Sequence, residues 1–277
     1  GFNGPRHQTG PITLPDMSLD FWRPPVAIAH RGSRLLWPEN TMEAFAGAVG
    51  LGYRHLETDL RVTGDGVLVC LHDPTVDRTT DGSGPVTEFS FDELSTLDAG
   101  YRHVGVEGRT FRDRGIRVPT LEEAVLTYPD VSFVVDLKTE NLVEPLHVLI
   151  ERLGLHERLI VGSFSDRRLQ EFRDVSVGRV ATSTGATLAR SWLVASRVGR
   201  GVVGEASALQ LPRHSRGLRV IDRKLIESAH AHGLQVHVWT VNNRSEMAEL
   251  LDLGVDGIIT DRPDVLKELL EDRGEWR

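Results

Sequence analysis

The chain has 277 residues, 40% of them apolar and 26% charged, and a formal net charge of −8. This is the composition of a folded globular protein with one large domain or two small ones, and it lacks the basic footprint of a nucleic-acid-binding protein. No apolar run approaches the roughly 20 residues that cross a bilayer, and an anionic substrate would need positive charge gathered locally, by a metal ion or by a few Arg and Lys.

In chain order, residues 1–24 are expected as a flexible tail without an apolar leader run. A domain over 25–277 follows. VAIAH (26–30) reads as a strand, and a helix runs from about Thr41, its N-cap, to stop signals at Gly50 and Gly52. HLETDLRV (55–62) alternates like a strand, and VLVCLH (67–72) is another. The intervening TGDG is too short for a parallel crossover, which takes a dozen or more residues. An antiparallel hairpin turning at Asp65-Gly66 is therefore predicted, with Val62 opposite Val67 and His72 returned toward Glu57. Residues 73–118 read as an insertion with one helix, 91–97, capped by Ser90, and Pro119 and Thr120 open a helix through 128.

Beyond that point strands and helices alternate. Strands are expected at 132–138, 159–164, 179–184, 208–212, 235–241 and 257–260, with helices at 143–153, 166–173, 222–232 and 264–271 among those between them. With 26–30 and 55–62 these strands make eight, which points to a (β/α)8 TIM barrel with a small insertion after the second strand. The runner-up, an open doubly wound sheet, lacks the glycine-rich fingerprint that would mark its nucleotide-binding form. Cys70 is the one cysteine, so no intrachain disulfide forms. A cytoplasmic chain has this character, and a disulfide-free secreted one would share it. Cys70 itself is read as core packing.

In a barrel the chemistry sits at the C-terminal strand ends. There the sequence places His30-Arg31-Gly32, Glu57 and Asp59, Asp136 and Lys138, Trp239 to Asn242, and Thr260-Asp261. Residues two apart on a strand share a face, and neighbouring strands lie about 4.8 Å apart, so three carboxylates would crowd together. Either a hard divalent cation, Mg2+ or Ca2+, joins them, or Arg61 and Lys138 pair with them in a structural network. A histidine at a strand end is commonly a core residue. His30 beside Arg31 and a glycine that lets backbone approach a ligand, with His72 folded back by the hairpin, instead suggests a general acid and base around one phosphate.

These residues fall into a pattern that resembles the glycerophosphodiester phosphodiesterases from about residue 26 to 266. The fragments are HRG (30–32), PENT (38–41), ETD (57–59), DG (65–66), HD (72–73), DRTTDGSG (77–84), PTLEE (119–123), DLK (136–138), WTVN (239–242) and GVDGIITDRP (254–263). Each is weak alone, and their order and spacing make the set specific. The resemblance implies a barrel with a small insertion, His30 and His72 as the acid/base pair, and Glu57, Asp59 and Asp136 as metal ligands. It further implies Arg31 and Lys138 as phosphate contacts, Glu39 lining the site, and Phe164 and Trp239 as apolar walls. The family usually carries Glu where Asp136 stands, and the shorter side chain gives up roughly 1.5 Å of reach.

The implied reaction is metal-dependent hydrolysis of a small glycerophosphodiester to glycerol 3-phosphate and an alcohol, by direct water attack or through a cyclic phosphate formed by the substrate's own 2-hydroxyl. A lysophospholipase D or a cyclising lyase acting on lipid would keep the fold and change the substrate. A barrel that binds without turnover is the reading from another class.

Overall fold

A computed structural model describes residues 22–198, 202, 204–215 and 217–277. In chain order its strands are β1 (Val26–His30), β2 (His55–Val62), β3 (Leu68–Cys70), β4 (Ser132–Leu137), β5 (Leu159–Gly162), β6 (Ala181–Thr182), β7 (Ala208–Pro212), β8 (His214–Ser215), β9 (Leu218–Arg219), β10 (Gln235–Trp239) and β11 (Gly257–Thr260). Eight of them run parallel in the order β6-β5-β4-β2-β1-β11-β10-β7. The ring closes at one parallel bridge, Ser183 to Ala208. The TIM barrel is therefore present, with the strands where the alternation places them. β5 and β10 are shorter than expected at their C-terminal ends, because the chain there leaves the ladder to form the loops of the site, and β6 is shorter at both ends.

The helices are α1 (Met42–Gly50), α2 (Phe91–Leu94), α3 (Leu121–Thr127), α4 (Val143–Leu153), α5 (Asp166–Ser176), α6 (Ala186–Arg197), α7 (Arg223–His230), α8 (Arg244–Leu253) and α9 (Pro263–Asp272). Local chemistry starts most of them. The side chains of Thr41, Thr120, Ser165, Asp222 and Asn243 each accept a first-turn N–H, which satisfies donors that have no partner inside the helix. Ser90 and Glu93 form a reciprocal capping box. α2 is one turn, shorter than the 91–97 expected, and α6 and α8 add to the helices named from sequence.

Strand alternation sends one set of side chains outward, into the main core against the helices, and the other into the lumen. The lumen is floored by Val26, Ile28, Val134, Ile160, Ala181 and Ile259. Trp22 plugs its lower end; it is 1% exposed and stacks on His55 with centroids 4.5 Å apart. The expected tail of residues 1–24 is thus corrected at its end. Residues 1–21 lie outside the described residues, and Trp22 belongs to the barrel because its indole fills the bottom of the lumen.

The hairpin after β2 forms as an antiparallel pair, slipped by one residue from expectation: Val62 faces Leu68. Thr63 N–H donates to Val67 O and its hydroxyl accepts from Val67 N–H, so Val67 belongs to the turn. The insertion packs Val76, Val86, Leu94 and Val118 against Val69 and Leu71 of the hairpin's return strand in a small core of its own. Cys70 is buried, and burial pushes its thiol up to about 12. No helix among the described residues is long and apolar enough to cross a membrane.

Candidate active site

One step up each strand from the apolar floor, the inward positions become polar. Above Ile28 stands His30, above Val134 stand Asp136 and Lys138, and above Ile259 stands Asp261. Glu57 and Asp59 share the inward face of β2, with His30 paired to Glu57 and Asp59 to Asp136 across the sheet. These groups line a cavity of about 710 Å³ at the C-terminal mouth, together with His72, Arg31, Phe164 and Trp239. Phe164 and Trp239 meet edge to face with centroids 5.8 Å apart. Of the residues to which the resemblance gives a role, Glu39 alone stands off the cavity wall. Its carboxylate grips Arg31 Nη1 at 2.8 Å and Arg78 Nη2 at 2.7 Å, so it positions the arginine from behind.

The loop from β1 to α1 is bent hard to make this site. Arg31, Ser33 and Asn40 all take positive φ, at 54°, 126° and 56°, a conformation disfavoured for residues with a Cβ. The bends are held by specific contacts. Arg31 N–H donates to Glu57 Oε2 at 3.0 Å, and Asn40 N–H donates to Arg31 O at 3.0 Å. Asn40 Nδ2 donates to Asp59 Oδ2 at 2.9 Å while its Oδ1 accepts from Thr58 Oγ1. Gly32 is also fixed by packing: a Cβ there would sit 2.7 Å from backbone and side-chain carbon of Ala44. Its close approach here is to α1.

Both histidines are held through Nδ1. His30 Nδ1 is 2.7 Å from Asp261 Oδ1, and His72 Nδ1 is 2.6 Å from Asp73 Oδ1. An ionised carboxylate only accepts, so each Nδ1 donates and each Nε2 is left for the cavity. Asp261 is fixed by Asn242, which donates to its Oδ2 at 3.1 Å and accepts from its backbone N–H at 2.8 Å. Burial favours the neutral ring of His30, but the carboxylates of Glu57 and Asp261 outweigh it and raise its pKa. Asp73, in turn, pairs with Arg78, which reaches Glu39. Asn40 and Asp73 were not singled out from sequence, and Asp261 and Asn242 were noted at strand ends without a role, although each lies inside a fragment quoted above, in PENT, HD, TDRP and WTVN.

The three carboxylates are matched by two cations. Lys138 Nζ lies 2.8 Å from Asp59 Oδ1 and 2.5 Å from Asp136 Oδ2, and Arg31 Nε lies 3.0 Å from Asp59 Oδ2. Arg61, the other cation considered, donates instead to His72 O. Burial works against Asp59, but Lys138 and Arg31 hold it low. Burial and then the charge of Asp59 push Glu57 well above the usual carboxylate range. Burial also raises Asp136 in spite of Lys138, and its Oδ1 is buried with no hydrogen-bond partner. Among the described residues no group of three His, Cys, Asp or Glu has geometry ready to hold an ion. The donor chemistry nonetheless fits a hard divalent cation, because an unpartnered carboxylate oxygen and an under-compensated glutamate are what such an ion satisfies.

A profile of the glycerophosphoryl diester phosphodiesterase family matches residues 30–265. A Mycobacterium tuberculosis protein named "Probable glycerophosphodiester phosphodiesterase 2" is 38% identical over 257 residues, covering 91% of this chain and 92% of that protein. A glycerophosphodiester phosphodiesterase of Caldanaerobacter subterraneus is 34% identical, covering 90% and 99%. An Oleispira antarctica phosphodiesterase, solved in complex with the product sn-glycerol-3-phosphate, superposes with a TM-score of 0.71 at 25% identity, over 90% of this chain and 97% of that one.

Proposed function

This chain belongs to the glycerophosphoryl diester phosphodiesterase family and is a glycerophosphodiester phosphodiesterase; from that premise we propose that His30 and His72 are its acid/base pair, working over a phosphodiester seated between Arg31 and Lys138. The observation that carries this reading is the matched pair of Nδ1–carboxylate bonds, His30 to Asp261 and His72 to Asp73, which present two Nε2 atoms to one cavity.

The guanidinium of Arg31 has a planar fork suited to phosphate oxygens, and Glu39 sets its orientation. Lys138 adds a second positive centre on the same wall. One histidine Nε2 takes the proton of the attacking hydroxyl, and the other Nε2 gives a proton to the leaving oxygen. The attacker is water or the 2-hydroxyl of the glycerol moiety, the second route passing through a cyclic phosphate that water opens. Asp261 and Asp73 stabilise whichever ring carries the positive charge. Glu57, Asp59 and Asp136 are the residues that would hold a divalent cation, which when bound supplies positive charge to the phosphate oxygens. Phe164 and Trp239 wall off the apolar side of the bound diester. The products are glycerol 3-phosphate and an alcohol.

The test is choline release from glycerophosphocholine by His30→Ala and His72→Ala. Each folded variant is expected to lose activity by roughly 100-fold or more, the usual worth of a general acid or base. Activity near that of the unaltered enzyme in either variant would remove that histidine from the mechanism.

A further inference from the structure

Within the insertion, residues 101–117 (YRHVGVEGRTFRDRGIR) carry five arginines against Glu107 and Asp113, a local charge of +3 in a chain of −8. The chain folds them into a narrow hairpin. Val104 and Thr110 meet in an antiparallel bridge, Gly105 N–H donates to Arg109 O at 2.9 Å, and one helical turn, Val106–Gly108, makes the tip. Four of the arginines are exposed, and each lies over an aromatic ring. Arg112 and Arg102 lie over Tyr101, 3.9 and 5.7 Å from its centroid, and Arg109 and Arg114 over Phe111, at 4.7 and 5.0 Å. Phe111 is fully buried, so its ring is a fixed base for two guanidinium groups. Arg102 Nε and Arg112 Nε donate to the backbone oxygens of Thr80 and Tyr101. The fifth arginine, Arg117, pairs with Glu123 at 2.5 Å. Among the described residues none of the other four forms an ion pair.

A guanidinium stacked on a ring keeps its plane and still offers N–H donors at its edge, the geometry that grips phosphate oxygens. Beside these arginines the hairpin exposes apolar carbon: Val104 and Val106 are exposed by 65% and 43%. Basic side chains around an apolar tip make a segment suited to the interface of a bilayer. The remainder of the chain carries −11, so an anionic surface repels it as a whole and draws this hairpin inward. The hairpin sits on the loop between β1 and α1, where Val106 N–H donates to Leu35 O at 3.1 Å. We propose that residues 101–114 are a docking surface for an anionic lipid bilayer, with the four arginines on lipid phosphates and the two valines between headgroups. The contact would hold the C-terminal mouth of the barrel at the membrane surface. None of residues 101–114 lines the catalytic cavity, so docking and catalysis can be tested apart.

Each arginine near an anionic surface adds about fivefold to partitioning, and the attraction fades within a Debye length, about 10 Å at 0.1 M salt. The experiment is flotation of the full chain with vesicles of phosphatidylcholine alone, and of phosphatidylcholine and phosphatidylglycerol in equal parts, at low and high salt. The chain is expected to float with the mixed vesicles, to stay behind with the neutral ones, and to bind more weakly as salt rises. The double variant Arg112→Glu with Arg114→Glu reverses two charges and is expected to lower partitioning by several hundredfold. Arg112→Lys with Arg114→Lys keeps the charge and should retain most of the binding, and Val104→Asp should lose much of it. Turnover of soluble glycerophosphocholine is expected to be unchanged in all three, which serves as the check on folding. No binding to mixed vesicles, equal binding to neutral ones, or unaltered binding by the glutamate variant would overturn the proposal. Capture of the chain by polyglutamate with no binding to vesicles would assign the hairpin to an acidic protein and overturn it as well.

Discussion

His30 Nδ1 lies 2.7 Å from Asp261 Oδ1, although 231 residues separate them in the chain. The pairing exists because β1 lies beside β11 where the ring joins first strand to last, with Ala29 level with Thr260. In the proposed mechanism Asp261 is thereby the group that keeps His30 in the tautomer the reaction uses. Asp261→Ala is expected to lower kcat on glycerophosphocholine by about 100-fold or more, with KM little changed, since Asp261 touches the ring and not the phosphate. A variant with unaltered kcat would show that the aspartate only packs there.

Glu57 supplies a test of cation binding that does not depend on turnover. Its pKa is pushed upward by burial and by Asp59, so Glu57→Gln resembles its protonated form and should fold. Mg2+ or Ca2+ is expected to raise the melting temperature of the unaltered protein, by about 2.7 kcal/mol of stabilisation at a hundred times Kd. The rise should strengthen with pH, because the ion must displace a proton, and should vanish in Glu57→Gln. A melting temperature indifferent to both ions would argue against a cation at these carboxylates.

Gly32 joins stability to activity. Its φ is +77°, and a Cβ would meet Ala44 at 2.7 Å. Gly32→Ala is expected to cost about 1–3 kcal/mol through backbone strain alone, read by urea unfolding, and to reduce activity further because Arg31 and the Glu57 contact move with the loop.

His237 makes the fold sensitive to acid. It is fully buried in the lower lumen, its Nε2 is 2.9 Å from Gln235 Oε1, and burial and then His55 depress its pKa to about 3. Its folded value lies below the unfolded value, so the unfolded chain takes up the proton first. The stability it contributes is complete above the unfolded pKa near 6.5 and is lost as pH falls from there toward about 3. Urea unfolding between pH 7 and pH 4 should show a fall of about 1.4 kcal/mol per pH unit from this group below its unfolded pKa. His237→Gln should make that dependence shallower, and an unchanged dependence would show that the folded state protonates it without penalty.

The barrel was legible because strand alternation and short apolar runs repeat eight times, and Glu57, Asp59, Asp136 and Lys138 fell on one face by their two-residue spacing. Asp261, Asn242, Asn40 and Asp73 were harder. Their work is to hold other side chains, and that work appears only when the ring closes or a loop doubles back. The sequence could show them inside fragments; it could not show that Asp261 belongs to His30. The Val62 register slipped by one because Thr63 draws Val67 into the turn. Trp22 was assigned to the tail because residues rich in Gly and Pro precede it, and its stacking partners come from the distant β2 and β10.

The ring is fastened unequally. β2 and β4 match over six residue pairs, whereas β6 meets β7 at the single Ser183–Ala208 bridge. The β2–β4 joint is the longest in the ring and carries Glu57, Asp59 and Asp136, and the β6–β7 seam is the shortest. Closure of the ring therefore rests least on the β6–β7 seam, and a parting there would open the barrel while β2 and β4 still hold Glu57, Asp59 and Asp136 side by side.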